Sequence, residues 1–239
     1  MKSRLKNKRL ISYLELHSIS KKQRAKAVDW MIEIHRIFNQ SHETLFRSVY
    51  IMDLYLKKKK QVIDSSELHL ICIVSIFISS KLNENQQIRM KDILQSIAKG
   101  KYTKQDIIKA EQNIFSLIFN EINLPTINSY FNNILQIVNV PEFVKADLKK
   151  NSEMLQKMFL YSYDILNVFT FDQLAVYSLV ISIKLYEFNR RGFNAQKFTA
   201  KILKLIDDSK QNTIINLNIL RNFASGFRNN FAFSSLPAN

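Results

Sequence analysis

Four histidines, one cysteine and twenty carboxylates are the side chains here that could do chemistry, and their spacing limits which chemistry is open. His17, His35, His42 and His69 fall in different predicted helices at no metal-ligand spacing, so no metal site is expected. Cys72 stands alone, which rules out an intramolecular disulfide framework and any cysteine-based zinc finger. There is no Gly-rich phosphate loop, no kinase catalytic signature and no nucleophile set beside a base. No catalytic residue, cofactor or small-molecule substrate is therefore expected. What stands out instead is a lysine. Leu68–Glu84 reads LHLICIVSIFISSKLNE, where only His69 and Ser75 interrupt an apolar run from Leu68 to Ile78 before Lys81 closes it. A segment with no polar face that ends in a charge raises the question of what the charge serves.

The elements that position this lysine follow from composition and spacing. The chain has 239 residues, 46% hydrophobic, with only 3 Gly and 3 Pro. So few breakers in so long a chain predict helices rather than a turn-rich sheet fold. The apolar run is too short to cross a bilayer, where about 18 or more residues are needed, and no signal peptide opens the chain. It therefore reads as a buried helix with others packed around it. A strand is the rival, because Ile71, Ile73, Val74, Ile76 and Ile78 are β-branched, but the run is longer than a usual strand.

Helix-start signals recur. Ser20–Gln23 is a capping box, and the helix after it carries Ala27, Trp30, Met31, Ile34 and Phe38 as an apolar stripe. Ser41 caps a helix through Leu56, Asp64–Glu67 resembles a second box before the apolar run, Met90–Ala98 makes a short piece, and Thr103 caps KQDIIKAEQNIFSLIF. The second half repeats the rhythm with INSYFNNILQIV, PEFVKADLKKNSEMLQKMFLYSY, LAVYSLVISIKLYEF after a Thr170–Gln173 box, NAQKFTAKILKLI and NTIINLNILRNF. Five helices are expected in each half, and each half has an apolar run ending in lysine, Lys81 or Lys184.

These segments resemble the cyclin family. QRAKAVDWMIEIHRIF is similar to the opening of a cyclin box, HETLFRSVYIMDLYL to its second helix and LHLICIVSIFISSKLNE to its third. YTKQDIIKAEQNIF is similar to the fifth helix, and LPTINSYF to the join with a second cyclin fold. The resemblance implies an all-α chain of two tandem five-helix cyclin folds with a short N-terminal helix. Residues 1–20 are then an N-terminal extension, 21–123 the N-terminal cyclin box and 124–239 the C-terminal cyclin fold. Whether 1–20 form a docking helix stays open, although KRLISYLELH is amphipathic enough for a short one.

The same resemblance implies roles. Lys81 and Glu111 match the pair with which cyclins grip the backbone of a kinase's regulatory helix, joined by Phe115, Glu84 and Ile122. Arg24 and Asp53 match a structural ion pair, with Leu70 a core leucine beside them. The function implied is that of a regulatory subunit, forming a heterodimer with a cyclin-dependent Ser/Thr kinase that it activates in cell-cycle control. It would act in the nucleus, the cytoplasm or both. The chemistry suits this: an ammonium donates to a main-chain carbonyl and a carboxylate accepts from an N–H, in bonds worth roughly 1.5–3 kcal/mol each when dry.

Departures from the family pattern carry expectations of their own. The surface matching the substrate-docking patch is Gln23, Lys26, Ala27, Trp30, Glu33, Leu68 and His69, where a central lysine would repel a basic docking motif. The acidic pair after the lysine is reduced to Asn83 and Glu84, and an aromatic expected at Asn120 is found one place earlier, as Phe119. No arginine has a leucine three residues on, and KEN does not occur, so those turnover signals are absent. The formal net charge of +15, densest from Lys2 to Lys26, suits an acidic partner, a nuclear address or simply a solvated basic surface. Lys57–Lys60 carries the same ambiguity. Two rival functions follow from the same fold: nucleic-acid binding in the manner of IIB-type transcription factors, or a non-activating scaffold.

Overall fold

The computed structural model describes residues 13–189, 195–206 and 209–230. A single 3-10 turn, Tyr13–Leu16, precedes α1 (Lys21–Ile37), α2 (His42–Lys58), α3 (Leu68–Asn83), α4 (Met90–Asp92) and α5 (Lys104–Ile118). Then come α6 (Ile127–Val138), α7 (Glu142–Tyr161), α8 (Tyr163–Val168), α9 (Phe171–Asn189), α10 (Ala195–Leu203) and α11 (Lys210–Asn230). The described residues form no strand; one isolated bridge joins Ser18 and Asp64. The docking-helix question for residues 1–20 lies largely outside the described residues, and its described end, Tyr13–Leu16, is a 3-10 turn rather than an α-helix.

Two compact units divide the chain. The first comprises residues 13–126 together with 160–163. Local chemistry starts its helices where the sequence signals stand. Ser20 Oγ accepts from the Gln23 N–H at 3.1 Å while Gln23 Oε1 accepts from the Ser20 N–H at 2.8 Å, closing the box on α1. Thr103 and Asp106 close the same box on α5, at 3.2 and 2.9 Å. Before α3 only one arm forms, Asp64 N–H to Glu67 Oε1 at 3.0 Å; the Glu67 N–H donates instead to the Asp64 carbonyl, also at 3.0 Å. The fourth helix is shorter than the sequence suggests. Met90–Asp92 passes into a π turn, Ile93–Ile97, and Gly100 ends it at φ 74° with its N–H on the Leu94 carbonyl.

Helix α3 packs against α1, α2 and α5 and is buried continuously from Ile71 to Ser80, as a helix with no polar face must be. Helix α2 is buried just as continuously, from Thr44 to Leu56, although Thr44, Arg47, Ser48 and Asp53 break its apolar pattern. The inward face of α1 is Arg24, Ala25, Val28, Met31, Ile32, Ile34 and His35, turned from the expected stripe; Ala27, Trp30 and Phe38 are half-exposed. The rotation follows Arg24, whose guanidinium is drawn into the core by Asp53.

The second unit comprises residues 127–159 and 164–230 of the described chain. It contains six helical segments rather than five: α7 ends at Tyr161 and α8 restarts at Tyr163, a break no Gly or Pro marks in the sequence. Its buried helix is α9, packed on α6, α10 and α11, with Leu174–Ile183 buried throughout. Serines lie in that apolar seam: Ser152 Oγ bonds Ser182 Oγ at 2.9 Å and Gln156 Nε2 donates to Ser178 Oγ at 3.0 Å.

Candidate functional site

Lys81 lies in the last turn of α3, where the helix leaves the core. Its Nζ donates to Glu111 Oε1 on α5 at 2.6 Å. The two side chains keep 37% and 23% of their surface, so the pair is at the protein surface and not in a dry pocket. In water such a pair adds little stability, about 0–1 kcal/mol. An ammonium has three N–H donors and a carboxylate two acceptor oxygens, so this one bond leaves hydrogen-bonding capacity on both partners. Beneath the ammonium lies Phe77, one turn earlier on α3, with the nitrogen 3.8 Å from the ring centroid.

The outer face of α5 continues from Glu111 at helical spacing. Phe115 and Phe119 are both exposed; Phe119, in the 3-10 turn Phe119–Glu121, keeps 61% of its surface, and its ring lies 5.3 Å from that of Phe115. The aromatic displaced from position 120 therefore pairs with Phe115 on the same face. Helix α2 holds the turn in place: Lys58 Nζ bonds Glu121 Oε1 at 2.7 Å, Tyr50 Oη donates to the Glu121 carbonyl at 3.2 Å, and Arg47 Nη1 donates to the Ile122 carbonyl at 2.6 Å. Burial pushes the Tyr50 hydroxyl well above its ordinary range, aided by Glu121. Lys58, within the run Lys57–Lys60, thus anchors the end of α5.

Two residues expected beside this pair are placed elsewhere. Ile122 is 3% exposed, and its side chain belongs to the core, because Arg47 draws that backbone inward. Glu84 turns back onto α2: its Oε1 accepts the Ser41 N–H at 2.7 Å and the Thr44 hydroxyl, covering open donors at the helix start. Burial opposes its charge, but the bonds from Thr44 and Ser41 outweigh that and hold the carboxyl below its usual range.

Arg24 and Asp53 form a buried ion pair within a larger network. Arg24 Nε meets Asp53 Oδ1 at 2.8 Å and Nη2 meets Oδ2 at 2.5 Å. Tyr13 Oη donates to Asp53 Oδ1 at 2.6 Å, and Arg24 Nη1 donates to the Leu160 carbonyl at 2.9 Å. The Leu160–Tyr163 segment of this unit also supplies Tyr161 Oη to Asp29 at 2.7 Å and the Tyr163 ring to Tyr13, edge-on at 5.1 Å. Burial lifts the Tyr13 hydroxyl far above its ordinary range, with Asp53 adding to the shift. Burial works against the Arg24 charge, but Asp53 and Tyr13 more than compensate and its affinity for the proton rises. Leu70 is half-exposed rather than core; Cys72 takes the place beside the pair, and burial pushes its thiol up to about 12. That thiol is inert.

The residues matching a docking patch do not make one open apolar surface. Gln23 is spent on the α1 cap, Leu68 is buried, Lys26 is exposed, and Ala27 and Glu33 are half-exposed. The Trp30 and His69 rings meet at 4.9 Å, tilted 54° to one another, and His69 Nδ1 meets Tyr102 Oη at 3.3 Å. Burial and then Lys101 lower the pKa of His69. The other buried histidines are structural. His17 Nδ1 accepts the Ile63 N–H at 3.2 Å, so Nε2 carries the proton and donates to the Leu56 carbonyl at 2.6 Å. His35 Nε2 lies 3.0 Å from Ser48 Oγ, which itself donates to the Thr44 carbonyl, and burial lowers the histidine to about 3. Among the described residues no cluster of His, Cys, Asp or Glu could hold a metal, and no helix is long and apolar enough to cross a membrane. Sequence reasoning missed Phe77, Tyr13 and Lys58. For Phe77 the signal was present, an aromatic four residues before a lysine on one helix.

The model of the cyclin N-terminal domain matches residues 2–123, and the chain belongs to the cyclin family. Among curated proteins it is 28% identical to the G2/mitotic-specific cyclin-B3 of Caenorhabditis elegans, over 55% of this chain and 34% of that protein. It is 30% identical to the G2/mitotic-specific cyclin-B3 of Drosophila melanogaster, over 49% of this chain and 20% of that one. It is 31% identical to the putative cyclin-B3-1 of Arabidopsis thaliana, over 50% and 30%. The matched stretch thus spans about a third or less of these relatives. Among solved structures, a viral cyclin from herpesvirus saimiri superposes with a TM-score of 0.76 over 92% of both chains at 15% identity, a likeness of fold.

Proposed function

We propose that this chain is the regulatory subunit of a cyclin-dependent Ser/Thr kinase, which it binds and activates without catalysing anything itself. The observation that carries the reading is the Lys81–Glu111 contact at 2.6 Å on a half-exposed surface, continued along α5 by Phe115 and Phe119. An ammonium and a carboxylate side by side offer a donor and an acceptor to the main chain of one helix end, whatever its side chains. The exposed rings supply apolar area that a partner would cover, at about 25 cal/mol per Å². Once water leaves, the polar contacts gain roughly 1.5–3 kcal/mol each. Seating the kinase's mobile helix there favours the state in which the kinase's own Lys–Glu pair is assembled. Glu84 and Ile122 act from behind this surface, one capping α2 and the other filling the core. In this reading residues 21–123 form the kinase-facing cyclin box, and the second unit is a second cyclin fold.

The test is calorimetric titration of the chain into a purified mitotic cyclin-dependent kinase, with phosphorylation of a histone substrate measured in parallel. Lys81→Ala and Glu111→Ala should each weaken binding at least tenfold and lower the phosphorylation rate, with unfolding midpoints unchanged. Equal affinity for both variants and the wild type would remove the basis for the proposal.

A further inference from the structure

Among the described residues four lysines stand over aromatic rings, and one differs from the rest. Lys21, Lys59 and Lys101 lie 5.4–5.8 Å from their ring centroids, near the outer limit for a useful attraction. Lys81 lies 3.8 Å from the centroid of Phe77. Phe77 is 4% exposed, so the core fixes its ring and leaves one face to the ammonium. A surface lysine held by one carboxylate samples many rotamers, and such a pair is loose in water. A ring face below and a carboxylate at 2.6 Å pull from different directions and together define one position.

We propose that Phe77 is a positioning residue for Lys81: its ring and the Glu111 carboxylate clamp the ammonium so that its remaining N–H donors face outward, set for a partner's main-chain carbonyl. This rests on the reading that Lys81 grips a kinase backbone. Phe77 itself touches no partner, being buried beneath the lysine. The ordering of a four-carbon side chain is completed before binding, which lowers the entropy lost when the complex forms.

The test replaces Phe77 with mono-, di- and trifluorophenylalanine, which keep the ring's shape and progressively remove the negative potential of its face. Affinity for a purified mitotic cyclin-dependent kinase should fall stepwise, by about tenfold across the series. The unfolding midpoint should stay constant, as a purely structural role for the ring would not require the affinity to change. In a Lys81→Ala background the series should have no effect. A flat series in a chain whose Lys81→Ala variant binds weakly overturns the role of Phe77 and leaves the backbone grip standing. If Lys81→Ala binds as tightly as wild type, the grip itself fails and the clamp with it. Independently of any kinase, the Lys81 ε-methylene protons should resonate upfield of the other lysines, from the ring current, and return to the common position in Phe77→Leu.

Discussion

Arg24 and Asp53, twenty-nine positions apart, join through two parallel bonds of 2.8 and 2.5 Å with essentially no exposed surface on either side chain. Every strong donor direction used by the arginine ends on a carboxylate or carbonyl oxygen, and the aspartate takes a third bond from Tyr13. Such a site tolerates loss of both charges better than loss of one. Asp53→Ala should cost about 3–5 kcal/mol, whereas Arg24→Met with Asp53→Leu should recover much of that. Tyr13→Phe should cost less, about 1.5–3 kcal/mol, because it removes one bond to the carboxylate and the aspartate keeps its arginine. Urea unfolding of the variants checks all three.

His35 makes the fold sensitive to acid. Its folded pKa is near 3, because burial penalises the charged ring, against about 6.5 unfolded. Between those values the unfolded chain takes up a proton that the folded chain refuses. Stability therefore falls as pH drops below 6.5, by about 1.4 kcal/mol per pH unit once the unfolded histidine is mostly charged. His35→Gln keeps a donor for Ser48 and removes the titration. It should flatten the pH dependence between pH 6 and 5, measured by unfolding at each pH.

Glu84 should act on stability and only indirectly on binding. Glu84→Ala removes the acceptor for Ser41 and Thr44 at the start of α2, and should cost about 0.5–2 kcal/mol, as lost helix caps do. Because the folded carboxyl sits below its usual range, its contribution is present above the unfolded pKa and fades as pH falls through the folded one. Hydrogen exchange at the Ser41 amide should quicken in the variant, with α5 unaffected.

How much of this was legible in the sequence follows from the range of the forces involved. Caps and apolar runs are local, so α1, α2, α3 and α5 and the contact of Lys81 with Glu111 could be read from short stretches and a family resemblance. What escaped depends on long-range polar pairing. Arg24 buries a charge and turns the face of α1; Tyr13 reaches Asp53 across forty positions; Arg47 pulls Ile122 inward. The break between α7 and α8 has no local breaker, and Glu84 found the end of another helix rather than the surface.

The docking patch yields a prediction of a missing activity. With Lys26 exposed and Trp30 in ring contact with His69, an arginine-rich peptide ending in leucine should bind this chain at least tenfold more weakly than it binds a cyclin with an open apolar patch. Fluorescence anisotropy of a labelled peptide measures this, and Lys26→Glu should strengthen the binding.

The most direct measurement is the structure of the chain bound to a cyclin-dependent kinase. Lys81 Nζ is predicted within about 3.2 Å of a main-chain carbonyl of the kinase's mobile helix, with Glu111 accepting one of its N–H groups and the Phe115 and Phe119 rings covered. A complex in which that helix lies against another surface, leaving Lys81 and Glu111 paired only with each other in solvent, would contradict it.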